Sequence, residues 1–206
     1  HYCQRWLPTD KEKVQIKSDS ATEPTVTATK LDNSTVNITC TRVSSYIGIY
    51  FFEFEVNFIL FPTETYITVT QEAEIYKSEP FYGDPYLLTE LKNGEYLKIE
   101  YFNNDNAFQL DFSKDIVFTL YVPAILKDYG TGGESSLYDN QDELTKLKET
   151  VQRLLTFRTL DIPRYLAETL KLASSMDNFV VNNIAYVRAE QPEISAIDGN
   201  NYVGFS

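Results

Sequence analysis

Between Tyr46 and Leu60 the chain alternates: Phe52, Phe54, Val56, Phe58 and Leu60 share one face, and Glu53, Glu55 and Asn57 share the other. Side chains on a strand point to opposite faces with period two. An alternation this regular specifies a sheet with one apolar face buried and one polar face wet. It belongs to about eight short runs rich in β-formers, each closed by a turn signal. They read as Thr25–Leu31, Thr35–Val43, Tyr46–Leu60, Thr65–Lys77, Tyr86–Lys92, Glu95–Phe102, Ala107–Phe112 and Asp115–Val122. Parallel strands need long crossovers, so short turns between runs predict an antiparallel meander. Eight strands are also enough to close a small barrel around one ligand. In Thr65–Lys77, Ile67, Val69, Ala73 and Ile75 repeat the alternation, with Gln71 as the exception. Asn93-Gly94 reads as a tight hairpin turn, because both residues accept positive φ, with a bulge or a different register as the alternative, since it would pair Leu91 with Tyr96 but Glu90 with Leu97.

The runs place one β-rich domain at residues 25–187, behind a polar N-terminal arm at 1–24 and before a loose tail at 188–206. Past Pro123 the pattern becomes helical. Leu144, Leu147, Val151, Leu154 and Leu155 predict a helix over 140–157, with Asn140 and Glu143 in capping-box positions. A second helix is expected over 162–175, capped by Asp161 with Pro163 in its first turn. Phe179–Val187 reads as a last strand.

The 206 residues are 43% hydrophobic and 14% aromatic, enough to build a core. A net charge of −12 argues against nucleic-acid binding, which needs a basic face. The same charge would be repelled by anionic lipid. No run of 18 apolar residues is present, so membrane insertion is not expected.

Two cysteines, Cys3 and Cys40, read as one disulfide tying the arm to the second run, or as two unrelated thiols. Asn33-Ser34-Thr35 and Asn37-Ile38-Thr39 are glycosylation sequons. Asn37 shares the polar face of its strand with Thr35 and Thr39, so Asn33 and Asn37 are expected on an outward surface. With a start at His1 that fits a removed signal peptide, these features point to a secreted glycoprotein. A trimmed chain would explain the same start.

Catalytic equipment is sparse. His1 is the only histidine, so a histidine-based metal site or a Ser–His–Asp device has little to draw on. Gly130-Thr131-Gly132-Gly133 lacks the Lys-Ser/Thr of a phosphate loop and reads as a flexible connection. Asp139, Asp142 and Glu143 miss the calcium-loop spacing. No catalytic residue, metal ligand or cofactor is predicted. The remaining candidate is an aromatic interior: Phe52, Phe54, Phe58, Leu97, Ile99, Phe108, Phe112 and Phe118 would line one face of the sheet. If that sheet closes, they would surround an apolar cavity; otherwise they fill a core.

Eight meandering strands followed by an amphipathic helix resemble the lipocalins of the calycin superfamily. Ala28–Thr39 is similar to their second-strand hairpin, and Glu143–Leu172 to their C-terminal helix and the segment after it. The family's Gly-x-Trp has no counterpart, since Gln4 stands two positions before Trp6. The resemblance implies a calycin-like barrel that carries or sequesters a small hydrophobic molecule of the fatty acid, retinoid or pigment class. The alternative is a secreted or surface protein–protein interaction domain with a filled core, engaging its partner through Tyr-rich loops such as Tyr82–Tyr86.

Overall fold

The computed structural model describes residues 2–106, 110–140, 143–186, 194–196 and 202–205. Its first strands are β1 (Gln4–Trp6), β2 (Lys11–Ser18), β3 (Thr25–Lys30), β4 (Thr35–Ile38), β5 (Thr41–Tyr46), β6 (Ile49–Asn57), β7 (Thr65–Gln71), β8 (Glu74–Lys77) and β9 (Phe81–Gly83). Helix α1 (Leu87–Asn93) leads to β10 (Tyr96–Phe102), β11 (Phe118–Asn140), β12 (Glu143–Thr159) and β13 (Ile162–Pro163). Helix α2 (Arg164–Ala173) precedes β14 (Asn178–Val181), β15 (Ile184–Tyr186), β16 (Ile194–Ala196) and β17 (Tyr202–Phe205). The fold is mainly β, and among the described residues its strand pairs are antiparallel apart from β1 on β9.

Among the described residues the strands form several sheets. One has the order β1-β9-β7-β3-β4, with β8 also on β7; β2-β6-β5 forms another. Between them lies a first core of Trp6, Val26, Ala28, Phe52, Phe54, Val56, Ile67 and Phe81, closed by Phe58, Phe61 and Leu87. This is the expected apolar face of the Phe52–Phe58 alternation. Leu60, expected on that face, is exposed, because the chain leaves the strand into a 3-10 turn at Phe58–Leu60. Gly83 lies so close to this turn that a Cβ would stand 2.5 Å from the Phe58 carbonyl oxygen.

A third sheet has the order β12-β11-β10-β14-β15. Leu97, Ile99, Tyr101, Val122, Ala124 and Val181 from it pack with Phe112, Ile116, Ile162 and the α2 residues Leu166, Ala167 and Leu170 in a second core. Strand β11 serves both cores. Tyr121 is buried in the first, while its neighbour Val122 is buried in the second. The period-two rule makes β11 a wall with an apolar face on each side.

Several expected elements differ. The arm at 1–24 carries β1 and β2, whose alternate residues Val14 and Ile16 pack on the first core. Thr35–Val43 is broken at Thr39-Cys40 into β4 and β5, which lie in different sheets. Thr65–Lys77 folds back on itself as β7 and β8 around Glu72, at φ +53, so Ile75 is exposed. Tyr86–Lys92 is helical rather than extended: Leu87 and Leu91 lie one turn apart and both face the first core. Asn93-Gly94 ends that helix instead of making a hairpin. Gly94 adopts the left-handed conformation at φ +76, and the Glu95 N–H donates to Glu90 O at 2.9 Å. That is a Schellman C-cap, which needs positive φ at its glycine.

Of Ala107–Phe112, residues 107–109 lie outside the described residues, and Phe112 begins a 3-10 turn. Gly130–Gly133 lies within β11, paired with Leu154 to Val151, and is not a loop. The helix expected over 140–157 is strand β12, paired with β11 from Thr159 to Glu143; 141–142 are outside the described residues. Thr145, Thr150, Val151, Thr156, Phe157 and Thr159 are β-formers, and pairing with β11 overrides the helical spacing of the leucines. Helix α2 lies inside the expected 162–175, but Pro163 occupies its N-cap, without a side-chain cap bond; Asp161 is not the cap. Of the strand expected over Phe179–Val187, the part to Tyr186 is split into the β14–β15 hairpin by Asn182 and Asn183, at φ +48 and +67, and Val187 lies outside the described residues. In the segment expected as a loose tail, β17 pairs with β13 and β16.

Candidate functional site

The residues expected to line one cavity fall into two cores. Phe52, Phe54 and Phe58 belong to the first core. Leu97, Ile99 and Phe112 belong to the second, with Phe118 packed against it. Phe108 lies outside the described residues. The rings meet other rings: Phe58 stacks on Trp6 at 4.3 Å and meets Phe81 edge-on at 5.5 Å. Phe118 lies 5.3 Å from Tyr101 and 6.1 Å from Phe112. Such contacts are those of packed interiors.

Cys3 and Cys40 form no disulfide. Cys3 precedes β1 at one edge of its sheet, and Cys40 follows β4 at the other. Four strand spacings separate these edges, roughly 19 Å in a flat sheet. A disulfide requires Cα atoms about 4.4–6.8 Å apart. Burial pushes both thiols up to about 11, so they are poor nucleophiles near neutral pH. Asn33 and Asn37 are exposed, as are Thr35 and Thr39, on the β3–β4 turn and on edge strand β4.

Arg5 sits at the junction of β1, β9 and α1. Its Nε donates to Asp84 Oδ2 at 2.8 Å, its Nη2 lies 2.6 Å from the same oxygen, and Nη1 reaches Glu90 at 2.5 Å. The guanidinium also lies 4.8 Å from the centre of the Tyr96 ring. Burial alone would raise the Asp84 carboxyl, but the Tyr86 N–H and Arg5 hold it below its usual value. Tyr82 donates to Asp84 at 3.1 Å, which ties the Tyr82–Tyr86 loop into this structural ion pair. Tyr86 itself is exposed.

An open cleft of about 750 Å³ lies where the two sheets of the first sandwich part. Ile16 and Ile49 contribute to one wall, and Val69 and Tyr76 to the other. Gln15, Lys17, Asp19, Gln71 and Glu74 add polar groups. One side is tied by Ser20 Oγ donating to Glu72 at 2.6 Å and by Gln71 Nε2 donating to Thr22 O at 2.7 Å. Strand β8 borders the cleft with all four residues exposed, Ile75 at 69%. Tyr76 donates to Glu74, two residues earlier on the same strand.

Next to Ile49 stands the β5–β6 tip. Tyr46 pairs with Ile49, and Ile47 and Gly48 make the turn at φ +46 and +76. Ile47 is 81% exposed and Tyr46 71%. A β-branched residue in the left-handed region is a rare conformation. Comparison with known proteins finds no matching family, curated protein or solved structure. Among the described residues no group of three or more metal-ligating side chains comes together, and no helix is long and apolar enough to cross a membrane.

The cleft and the Ile47 tip were missed from sequence. Gly48 was the available signal: a glycine inside an apolar run marks a turn or a bulge. A run continuous from Tyr46 to Leu60 absorbs Ile47 into a strand.

Proposed function

We propose that this chain is a non-enzymatic binding module that docks another protein at the cleft end of its first sandwich. Ile47 carries the reading. A left-handed L-residue costs roughly 1–2 kcal/mol, and at 81% exposure this side chain recovers almost none of that by burial. Strain of this kind concentrates where a structure presents a group for function. Tyr46, Ile75 and Tyr76 extend the exposed apolar surface along the cleft. The β8 edge offers backbone donors and acceptors to an extended segment, the strand-addition mode of recognition. The partner suited to a chain of net charge −12 is basic.

The filled contacts around Phe52, Phe58, Phe112 and Phe118 support protein binding over the calycin-like carriage of a small apolar molecule. A carrier would have to use the open cleft instead. Pull-down from the native source with the full chain and with Ile47→Asn and Tyr76→Ser tests the choice. One dominant basic protein should be retained by the parent chain and lost, at unchanged or higher Tm, from the variants. Native mass spectrometry showing a stoichiometric lipid, with no partner sensitive to the tip, would overturn it.

A further inference from the structure

The seam between the two cores is polar. Strand β2 belongs to the first sandwich, and β10 and β11 form the wall. The Tyr121 hydroxyl donates to Asp10 Oδ2 at 2.6 Å, and the Thr119 N–H donates to Glu12 Oε1 at 3.2 Å. The Asp111 N–H donates to Gln15 Oε1 at 2.6 Å, and Gln4 Nε2 donates to the Tyr121 carbonyl at 3.1 Å. Glu12 shares the inward side of β2 with Val14 and Ile16, and Val56 of β6 stands opposite it. The charged and titratable groups acting on it are Asp10 just before β2, Lys98, Glu100 and Tyr101 of β10, and Tyr121 of β11. Lys98 Nζ is already paired with Glu100 at 2.8 Å. Asp10 and Glu100 thus both act on Glu12, and the Lys98 ammonium that opposes them is paired with Glu100. Carboxylates that share a partly buried site cannot all ionise without cost.

We propose that this seam is a proton-controlled latch: with Glu12 neutral, β2 lies against β11 and the two cores move as one body, and ionisation of Glu12 loosens them. Burial is the largest cause raising the Glu12 carboxyl, to about 8; Asp10 and Glu100 add to it, while the Thr119 N–H and Lys98 oppose it. The Tyr101 and Tyr121 hydroxyls are held well above their usual range, so they stay protonated through the transition. The latch is independent of the partner-binding reading, and either can fail alone.

Trp6 is the only tryptophan and meets Tyr121 edge-on at 5.9 Å, so it reports on the seam. The full chain is titrated from about pH 6 to about pH 10, following Trp6 emission and hydrogen exchange at the Thr119 amide. One transition centred about pH 8 is expected, with red-shifted emission and, relative to the base-catalysed intrinsic rate, lower protection of the Thr119 amide above it. Glu12→Gln should abolish it, and Glu100→Gln should move it to lower pH. The α-amino group titrates in the same range. A transition that persists in Glu12→Gln, one that Glu100→Gln leaves in place, or no transition in the parent chain would each overturn the latch.

Discussion

Two residues show opposite uses of local free energy. Ile47 adopts a conformation that Asn or Gly tolerates far better, and it does so in the open. Ile47→Asn should raise stability by about 1 kcal/mol in urea melts while weakening partner capture. Arg5 does the reverse. It is mostly buried, and it compensates Asp84 on two nitrogens and Glu90 on a third. Arg5→Ala would leave the 5%-exposed Asp84 without its counter-charge. Losing one partner of a buried pair typically costs about 3 kcal/mol or more. A denaturation midpoint no lower than that of the parent chain would show that the pair contributes little.

Elements were legible where one physical signal dominated. The Phe52–Phe58 alternation places its residues on the buried face because period two admits no other reading once one face is apolar. Tyr86–Lys92 was harder. Its leucines suit a strand or a helix, and the decision came from Gly94, whose left-handed cap closes the helix, together with the core contacts of Leu87 and Leu91. Gly94→Ala should cost about 1 kcal/mol, read as a lowered thermal midpoint. Residues 143–159 show the converse. Their leucines carry helical spacing, yet the strand β11 beside them supplies pairing that outweighs local preference. The candidate site was the least legible part. Its tip hides inside one apolar run, and its walls come from β2, β6, β7 and β8, which no local pattern brings together.

For the whole molecule, the buried carboxyl at the seam sets a pH dependence. Glu12 titrates at about 8 when folded, against an ordinary value of 4.5. Between those values the folded chain holds a proton that the unfolded chain has released. Its contribution therefore lowers stability as pH rises from about 4.5 through about 8, and is constant above. Glu12→Gln should remove that slope and exceed the parent chain in stability at alkaline pH, with no advantage below the ordinary carboxyl range. Urea midpoints across this range check both statements. Alternation and turn chemistry act over a few residues, so the chain by itself determined a mainly β, antiparallel protein with an aromatic interior. Whether those rings enclose a space or fill it, and whether Cys3 meets Cys40, depends on how distant strands are ordered. The tertiary structure divided the described rings between two cores and put the cysteines at opposite edges of one sheet, because sheet order is set by the summed burial of many strands and by no single run.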